Sequence, residues 1–227
     1  MNRLAKLLPF LILLAYPMVV SAHGVSDSDQ EILNNGGLLA YILVGAKHMV
    51  TGYDHLLFLA GVIFYLSGFK DIVRFITVFT IGHSITLIGA TYLGIKADEH
   101  LIDAVIALSV LYKGFENLKG FEKYFKTQSP NLLFMVFIFG LIHGFGLSTR
   151  LQSFAIGTES FLAKIVCFNI GVELGQIAAL IPIVFLITRW QKLKSYQAFY
   201  KAANVYLIIA GVALFVYQMW GYFNGGH

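Results

Sequence analysis

The chain has 227 residues, of which 58% are hydrophobic and only 12% are charged, and its mean hydropathy is +0.75. A composition this apolar, divided into several long apolar segments, excludes an ordinary soluble domain and predicts an all-α, polytopic integral membrane protein in contact with lipid. The net charge of +4 does not indicate a nucleic-acid partner, because the lysines and arginines fall in short connections between apolar segments.

Residues 1–22 have the pattern of a secretory signal peptide, with a basic start, an apolar run and the small-residue ending Ser21-Ala22. Cleavage after Ala22 would expose His23, whose α-amine and ring nitrogen could both bind one metal ion, an arrangement that suits copper and nickel. An incidental polar residue is an equal alternative for His23. If the segment is retained as an anchor, the His23 site does not form.

Residues 23–37 are predicted to form a short extracytoplasmic segment, followed by a transmembrane helical domain over residues 38–227. The apolar run at 38–50 is shorter than the roughly 20 residues that a membrane-crossing helix needs, so a half-helix or re-entrant element is expected there. Thr51-Gly52 interrupts it before a second apolar run at 53–67. The two runs form either one broken span or an interfacial helix followed by a span.

Five further apolar segments follow, separated by connections with Gly, Pro or charged residues. With 53–67 they predict about six transmembrane helices. Most lysines and arginines then lie on one side, which the positive-inside rule makes cytoplasmic, so both termini are expected outside a bacterial-type inner membrane. The five segments are residues 72–93, 101–118, 132–147, 161–187 and 203–222.

Ionisable side chains at the membrane segments are the candidate functional residues, because burying such a group is costly unless it is paired or bound to a ligand. His48, Asp54 and His55 flank the Thr51-Gly52 break. We expect this group to form the outer part of a site that other segments complete.

Two further histidines lie inside apolar segments. His83 is near the middle of its segment, where a role as ligand or proton carrier is favoured over an interhelical hydrogen bond. The adjacent Ser84 is better explained by such a bond. Gly140 and Gly144 flank His143 and allow either a ligand or a neighbouring backbone to come close.

Asn169, Glu173 and Gln176 are spaced at i, i+4 and i+7, which places them on one stripe of an apolar helix. A polar stripe does not face lipid, and Glu173 is expected to be a metal ligand or proton carrier. Asp103 lies less than one turn inside its segment and needs a partner or a route to the outer surface. Lys113 is expected to snorkel to the cytoplasmic face and pair with Glu116 or Asn117.

Imidazoles combined with carboxylates suit divalent Ni, Co, Zn or Cu, whereas Mg²⁺ and Ca²⁺ prefer oxygen ligands. The sequence contains neither a phosphate-binding loop nor a Gly-x-Ser-x-Gly elbow, so neither an ATP-driven pump nor an ordinary serine hydrolase is indicated.

Four motifs occur in this order: Gly52-Tyr53-Asp54-His55, Gly82-His83-Ser84, Gly140-Leu141-Ile142-His143-Gly144 and Asn169-Ile170-Gly171-Val172-Glu173. They resemble those of the second branch of the HupE/UreJ family of membrane proteins, and the resemblance spans residues 38–176. It implies a role in nickel or cobalt uptake linked to hydrogenase and urease maturation. Asp103 stands where the family usually has a glutamate, which keeps the charge and shortens the reach.

The first functional hypothesis is a permease for Ni²⁺ or Co²⁺. The alternatives are an intramembrane metal-dependent, hydrolase-like enzyme, a metal-storing or metal-sensing protein, and a structural subunit whose histidines hold helices together. A homo-oligomer is compatible with the sequence. The predicted metal ligands are His23, His48, Asp54, His55, His83, His143 and Glu173, and the residues expected to orient them are Asn169, Gln176, Asp103 and Ser84.

Overall fold

The computed structural model describes residues 29, 32–33, 36–65, 68–152 and 160–224. Regular structure in this part of the chain is helical, which confirms the all-α prediction. The α-helices are α1 (Leu38–Thr51), α2 (Tyr53–Val62), α3 (Phe69–Leu93), α4 (Glu99–Asn117), α5 (Leu132–Leu151), α6 (Phe161–Trp190) and α7 (Tyr196–Asn224). A 3-10 turn, Ile63–Tyr65, extends α2, and a π-helical turn, Phe121–Phe125, follows α4.

Local signals set the ends of these helices. α3 ends at Gly94, whose φ of 67° lies in the left-handed region that a glycine adopts without strain. α4 begins after Asp98, whose Oδ1 accepts the backbone N–H of Leu101 at 2.9 Å. The predicted segments from residue 72 onward therefore fall within or beside α3 to α7.

The predicted interruption at Thr51-Gly52 is confirmed. Gly52 has φ −68° and ψ 110°, an extended conformation that ends α1 and precedes α2. Its N–H still donates to the carbonyl of His48 at 2.9 Å, which closes the last turn of α1. The break lets the first apolar stretch change direction between His48 and His55.

Among the described helices, α3, α5, α6 and α7 are both long enough and apolar enough to cross a membrane. Four described helices meet these criteria of length and apolarity, fewer than the six or so spans that the sequence predicts. α2 has only 10 residues. α4 is long enough at 19 residues but carries several charged side chains, of which Asp103, Lys113 and Glu116 are buried in the protein. The membrane bundle thus has four clear spans, with α1, α2 and α4 packed among them.

Three helix pairs provide most of the packing: α3 with α5, α4 with α7, and α1 with α6. In the α3–α5 pair, a Cβ at Gly82 would collide with the carbonyl of Phe137, and a Cβ at Gly140 with the carbonyl of Phe79. Small residues of this kind let membrane helices approach closely enough for backbone packing. The corresponding glycines are Gly45 and Gly171 for α1–α6, and Gly114 and Gly211 for α4–α7.

The helices form an open row in the order α1, α6, α3, α5, α4, α7. α2 lies inside this row and contacts α1, α4 and α7. α6 and α7 are consecutive in sequence but make few contacts with each other. The helices that carry His48, His83 and His143 therefore lie around α2, which carries His55.

Candidate metal site

His48 and His55 meet across the break between α1 and α2. His48 is in the last turn of α1 and His55 in the first turn of α2, and their ring centroids are 5.1 Å apart with nearly perpendicular planes. His55 is buried, whereas His48 is half-buried and also contacts the ring of Phe168 on α6. The backbone turn at Gly52 therefore places two imidazoles side by side.

His143 on α5 extends this pair to a row of three imidazoles. Its ring centroid lies 5.0 Å from that of His55, and its side chain is 2% exposed. Phe58 and Phe79 contact the same ring at 5.6 and 5.4 Å. Three separate helices thus bring His48, His55 and His143 together in an aromatic surrounding.

The hydrogen bond of His143 determines which ring nitrogen carries its proton. Nδ1 lies 2.8 Å from the carbonyl oxygen of Phe139, one turn earlier in α5. A carbonyl only accepts, so Nδ1 must donate, and in the neutral imidazole Nε2 then bears the lone pair. This is the arrangement in which a histidine is prepared to bind a metal ion through Nε2.

His83 on α3 is held in the same tautomer by Asn169 on α6. The Nδ2 group of Asn169 donates to the carbonyl of Ile165 at 3.1 Å, so its Oδ1 faces His83 and accepts from Nδ1 at 3.0 Å. His83 is fully buried and stacks on Phe79, which also contacts His143. Among the described residues, Nε2 of His83 has no hydrogen-bond partner.

The four imidazoles do not surround one position at which all of them could bind the same metal ion. Within the described ranges, no three His, Cys, Asp or Glu side chains are grouped so as to hold a metal ion. The contacts form a chain from His48 through His55 to His143, and a chain offers a metal two neighbouring ligands at a time. The predicted ligands His23 and Asp54 cannot be placed, because His23 and the side chain of Asp54 lie outside the described part of the structure.

The structure places Glu173 at a groove between two helices. It lines an open groove between α3 and α6, together with Thr77, Thr80 and Ser84, with a volume of about 470 Å³. No described contact joins Glu173 to the imidazoles. Gln176, one turn further along α6, is fully buried and its Oε1 lies 3.5 Å from the hydroxyl of Thr80. The polar stripe of α6 therefore divides, with Asn169 at His83 and Glu173 in the groove.

Asp103 belongs to the interface between α4 and α7. Its Oδ2 accepts from Nε2 of Gln218 at 3.3 Å, and Oε1 of Gln218 lies 2.8 Å from Nδ1 of His100. The ring of His100 is half-buried against Gly221. Asp103 is thus buried with a polar partner in this interface.

A second polar cluster is buried in the bundle, although the sequence analysis expected its lysine at the surface. Lys113 does not snorkel to the surface: its side chain is fully buried and forms the predicted ion pair with Glu116 inside the bundle. The Nδ2 group of Asn117 donates to the carbonyl of Gly61 at 2.8 Å and to Oδ1 of Asn204 at 2.5 Å. The spacing of Lys113, Glu116 and Asn117 on one helical face could have indicated this cluster.

The comparison with known families decides the assignment. A family model described as HupE / UreJ protein matches residues 27–224. The chain belongs to the HupE/UreJ family. The match covers most of this HupE/UreJ protein, including the four imidazoles, Asn169 and Glu173, and confirms the resemblance found in the four motifs. Comparison with curated proteins and with solved structures gave no match.

Proposed function

We propose that this HupE/UreJ protein is a membrane permease for a divalent transition metal ion, with Ni²⁺ or Co²⁺ as the first candidates. The observation that carries the proposal is the contact of imidazoles from α1, α2 and α5 at centroid separations of 5.1 and 5.0 Å. Two imidazoles bound to one tetrahedral metal ion through bonds of about 2 Å have centroids about 5 Å apart. The observed spacing therefore suits neighbouring ligands of a shared metal.

The donor set supports the choice of ion. Neutral imidazoles suit Ni²⁺, Co²⁺, Zn²⁺ and Cu²⁺, whereas Mg²⁺ and Ca²⁺ require oxygen ligands that the histidine row does not supply. Membership of the HupE/UreJ family, which is associated with nickel and cobalt transport, favours the first two. In this proposal the ion is the transported substrate.

The ion would be taken up at the outer end of the bundle and passed inward. His48, Asp54 and His55 would receive it, with His23 if cleavage after Ala22 exposes that residue. His83 and His143 would hold it next, and Asn169 would keep His83 in the metal-binding tautomer. Glu173, Ser84 and Gln176 would contribute from the groove between α3 and α6.

The orientation follows from the charges of the connections. We propose that the side rich in lysine and arginine is cytoplasmic and that both termini lie outside an inner membrane. Passage would be driven by the gradient of the ion or by exchange with protons carried on histidine or glutamate.

A metal-storing, metal-sensing or hydrolase-like protein is the second candidate, and one observation favours it. Beyond Gln176, α6 lines a cleft whose other walls are apolar residues of α2 and α7. A permease requires polar groups along the whole path, whereas storage, sensing or catalysis requires a single site.

Metal accumulation tests the proposal. Cells that lack their own nickel and cobalt uptake would express the full chain, and radioactive Ni²⁺ or Co²⁺ would be counted in washed cells. We expect His55→Ala and His143→Ala to abolish accumulation at an unchanged protein level in the membrane. His100→Ala is the matched control, because this histidine lies at the α4–α7 interface.

The same variants separate the two candidates after reconstitution into liposomes that contain a metal indicator. A permease delivers many ions to the lumen for each protein molecule. Metal bound in a fixed ratio to the protein, with none in the lumen, would contradict transport and favour storage or sensing. Unchanged cellular accumulation in both His55→Ala and His143→Ala would contradict the role of the histidine row.

A further inference from the structure

An apolar cleft separates α6 from α7, and α2 forms its floor. Its volume is about 520 Å³, which is within the range of about 300–1,000 Å³ typical of sites for small apolar ligands. Its walls include Ala179, Ile183 and Trp190 of α6, and Phe199 and Tyr206 of α7. We refer to it as the α6–α7 cleft.

The length of the cleft matches one leaflet of a bilayer. Its α6 wall runs from Ala179 to Trp190, which corresponds to about 17 Å at the rise of an α-helix. The hydrocarbon core of a bilayer is about 30 Å thick, so one leaflet provides about half of that depth. An extended acyl chain that enters from one surface would therefore fill the cleft along its length.

Positive charge is concentrated at one end of the cleft. Trp190 and Phe199 stack there at a centroid distance of 4.2 Å, and the connection between them carries Lys192 and Lys194. Both lysines are exposed, and neither forms an ion pair with a residue that the structure describes. The sequence after Glu173 contains no Asp or Glu. The cations at this end therefore have no acidic partner in α7 or in the connection.

We infer that the α6–α7 cleft binds an anionic membrane phospholipid. One acyl chain occupies the apolar cleft, and the phosphate-bearing headgroup lies against Lys192 and Lys194. An acyl chain is complementary to the apolar walls of the cleft. A negative headgroup is complementary to Lys192 and Lys194, which form no ion pair with a described residue. By the positive-inside rule this end faces the cytoplasm, where anionic lipids attract basic segments of membrane proteins.

Trp190 provides an internal reporter for the test. The chain has two tryptophans, and Trp220 is 69% exposed on α7. The full chain with Trp220→Phe would be reconstituted in vesicles that contain phosphatidylglycerol or phosphatidylcholine with the same brominated acyl chains. Bromine quenches tryptophan fluorescence on contact, so quenching reports occupancy beside Trp190. We expect phosphatidylglycerol to reach half-maximal quenching at a mole fraction about fivefold lower than phosphatidylcholine.

Two variants and one control complete the experiment. Lys192→Gln with Lys194→Gln should make the two quenching curves coincide. Ala203→Phe fills the cleft from α7, one turn from the Phe199 ring that stacks on Trp190, and should lower the quenching by both lipids. Lys70→Gln with Lys123→Gln, two exposed lysines elsewhere on the same predicted side, should keep the fivefold preference.

Other occupants give other results. Equal curves for the two lipids in the parent protein would overturn the inference. Quenching that Ala203→Phe leaves unchanged would also overturn it, because the lipid would then lie outside the cleft. A cross-link between cysteines introduced at position 183 of two copies would identify a second copy of the chain as the occupant and contradict lipid binding.

Discussion

The imidazole of His83 and the amide of Asn169 form a hydrogen bond across the interface between α3 and α6, with Nδ1 3.0 Å from Oδ1. Because Asn169 is itself fixed by the carbonyl of Ile165, the bond sets both the orientation and the tautomer of a fully buried histidine. This is the type of outer contact that prepares a ligand before a metal arrives.

Asn169→Leu should therefore impair metal handling without removing any imidazole. We expect the affinity of the purified protein for Ni²⁺ or Co²⁺ to fall by about 10–100-fold, the usual effect of losing a residue that orients a ligand. Isothermal titration with each ion measures the change. Gln218→Leu, at the polar α4–α7 interface, is the control, and an unchanged affinity in Asn169→Leu would contradict the role of this bond.

The row of imidazoles should make the stability of the protein depend on metal. An ion that binds only the folded state contributes about 2.7 kcal/mol at 100 times its Kd, which corresponds to a rise in Tm of about 5 °C or more for a chain of this size. We expect Ni²⁺ or Co²⁺ to produce this rise, and chelation to reverse it. Mg²⁺ at the same concentration should have no effect.

His55→Ala removes the central ring of the row and should abolish the metal-dependent rise in Tm, whereas His100→Ala should retain it. A rise that survives in His55→Ala would place the metal elsewhere in the protein.

Gly144 is a point of closest approach between α5 and α3. A Cβ there would collide with the carbonyl of His83 and with the hydroxyl of Thr86. Gly144→Val should therefore force the two helices apart and destabilise the protein by about 3 kcal/mol or more. Thermal unfolding in detergent measures this loss.

Gly89→Val is the matched control for that change, since it lies in α3 and a Cβ there meets no atom within 4 Å. Equal stability of the Gly144→Val and Gly89→Val proteins would contradict the proposed close contact.

The buried ion pair of Lys113 and Glu116 predicts that removing one charge destabilises the protein more than removing both. Lys113→Met alone leaves a buried carboxylate without its cationic partner and should cost about 3–5 kcal/mol of stability. Lys113→Met combined with Glu116→Leu removes both charges and should recover most of the loss. Denaturation of the two variants in the same detergent gives the comparison, and a double variant as unstable as the single one would contradict the pairing.

The sequence alone determined the class of the protein and the positions of its helices. Long apolar segments are a local property, so the ends of α3 to α6 could be predicted to within about four residues, whereas α7 begins at Tyr196, before the predicted start at residue 203. The break at Gly52 could also be predicted, because the helix-weakening pair Thr51-Gly52 interrupts an apolar run. The motifs around His55, His83 and His143 also sufficed for the family, which the match over residues 27–224 confirms.

Only the tertiary structure decided which of these side chains meet. Helical periodicity gives the face on which a residue lies but not the helix that covers that face. Glycines permit the close approach of α3 to α5 and of α1 to α6. The contacts of His143 with His55 and of Asn169 with His83 lie between other helices, α5 with α2 and α6 with α3, and they form only when these pairs assemble. The same packing turns Glu173 toward a separate groove and encloses Lys113, two placements that depend on contacts between residues far apart in the sequence.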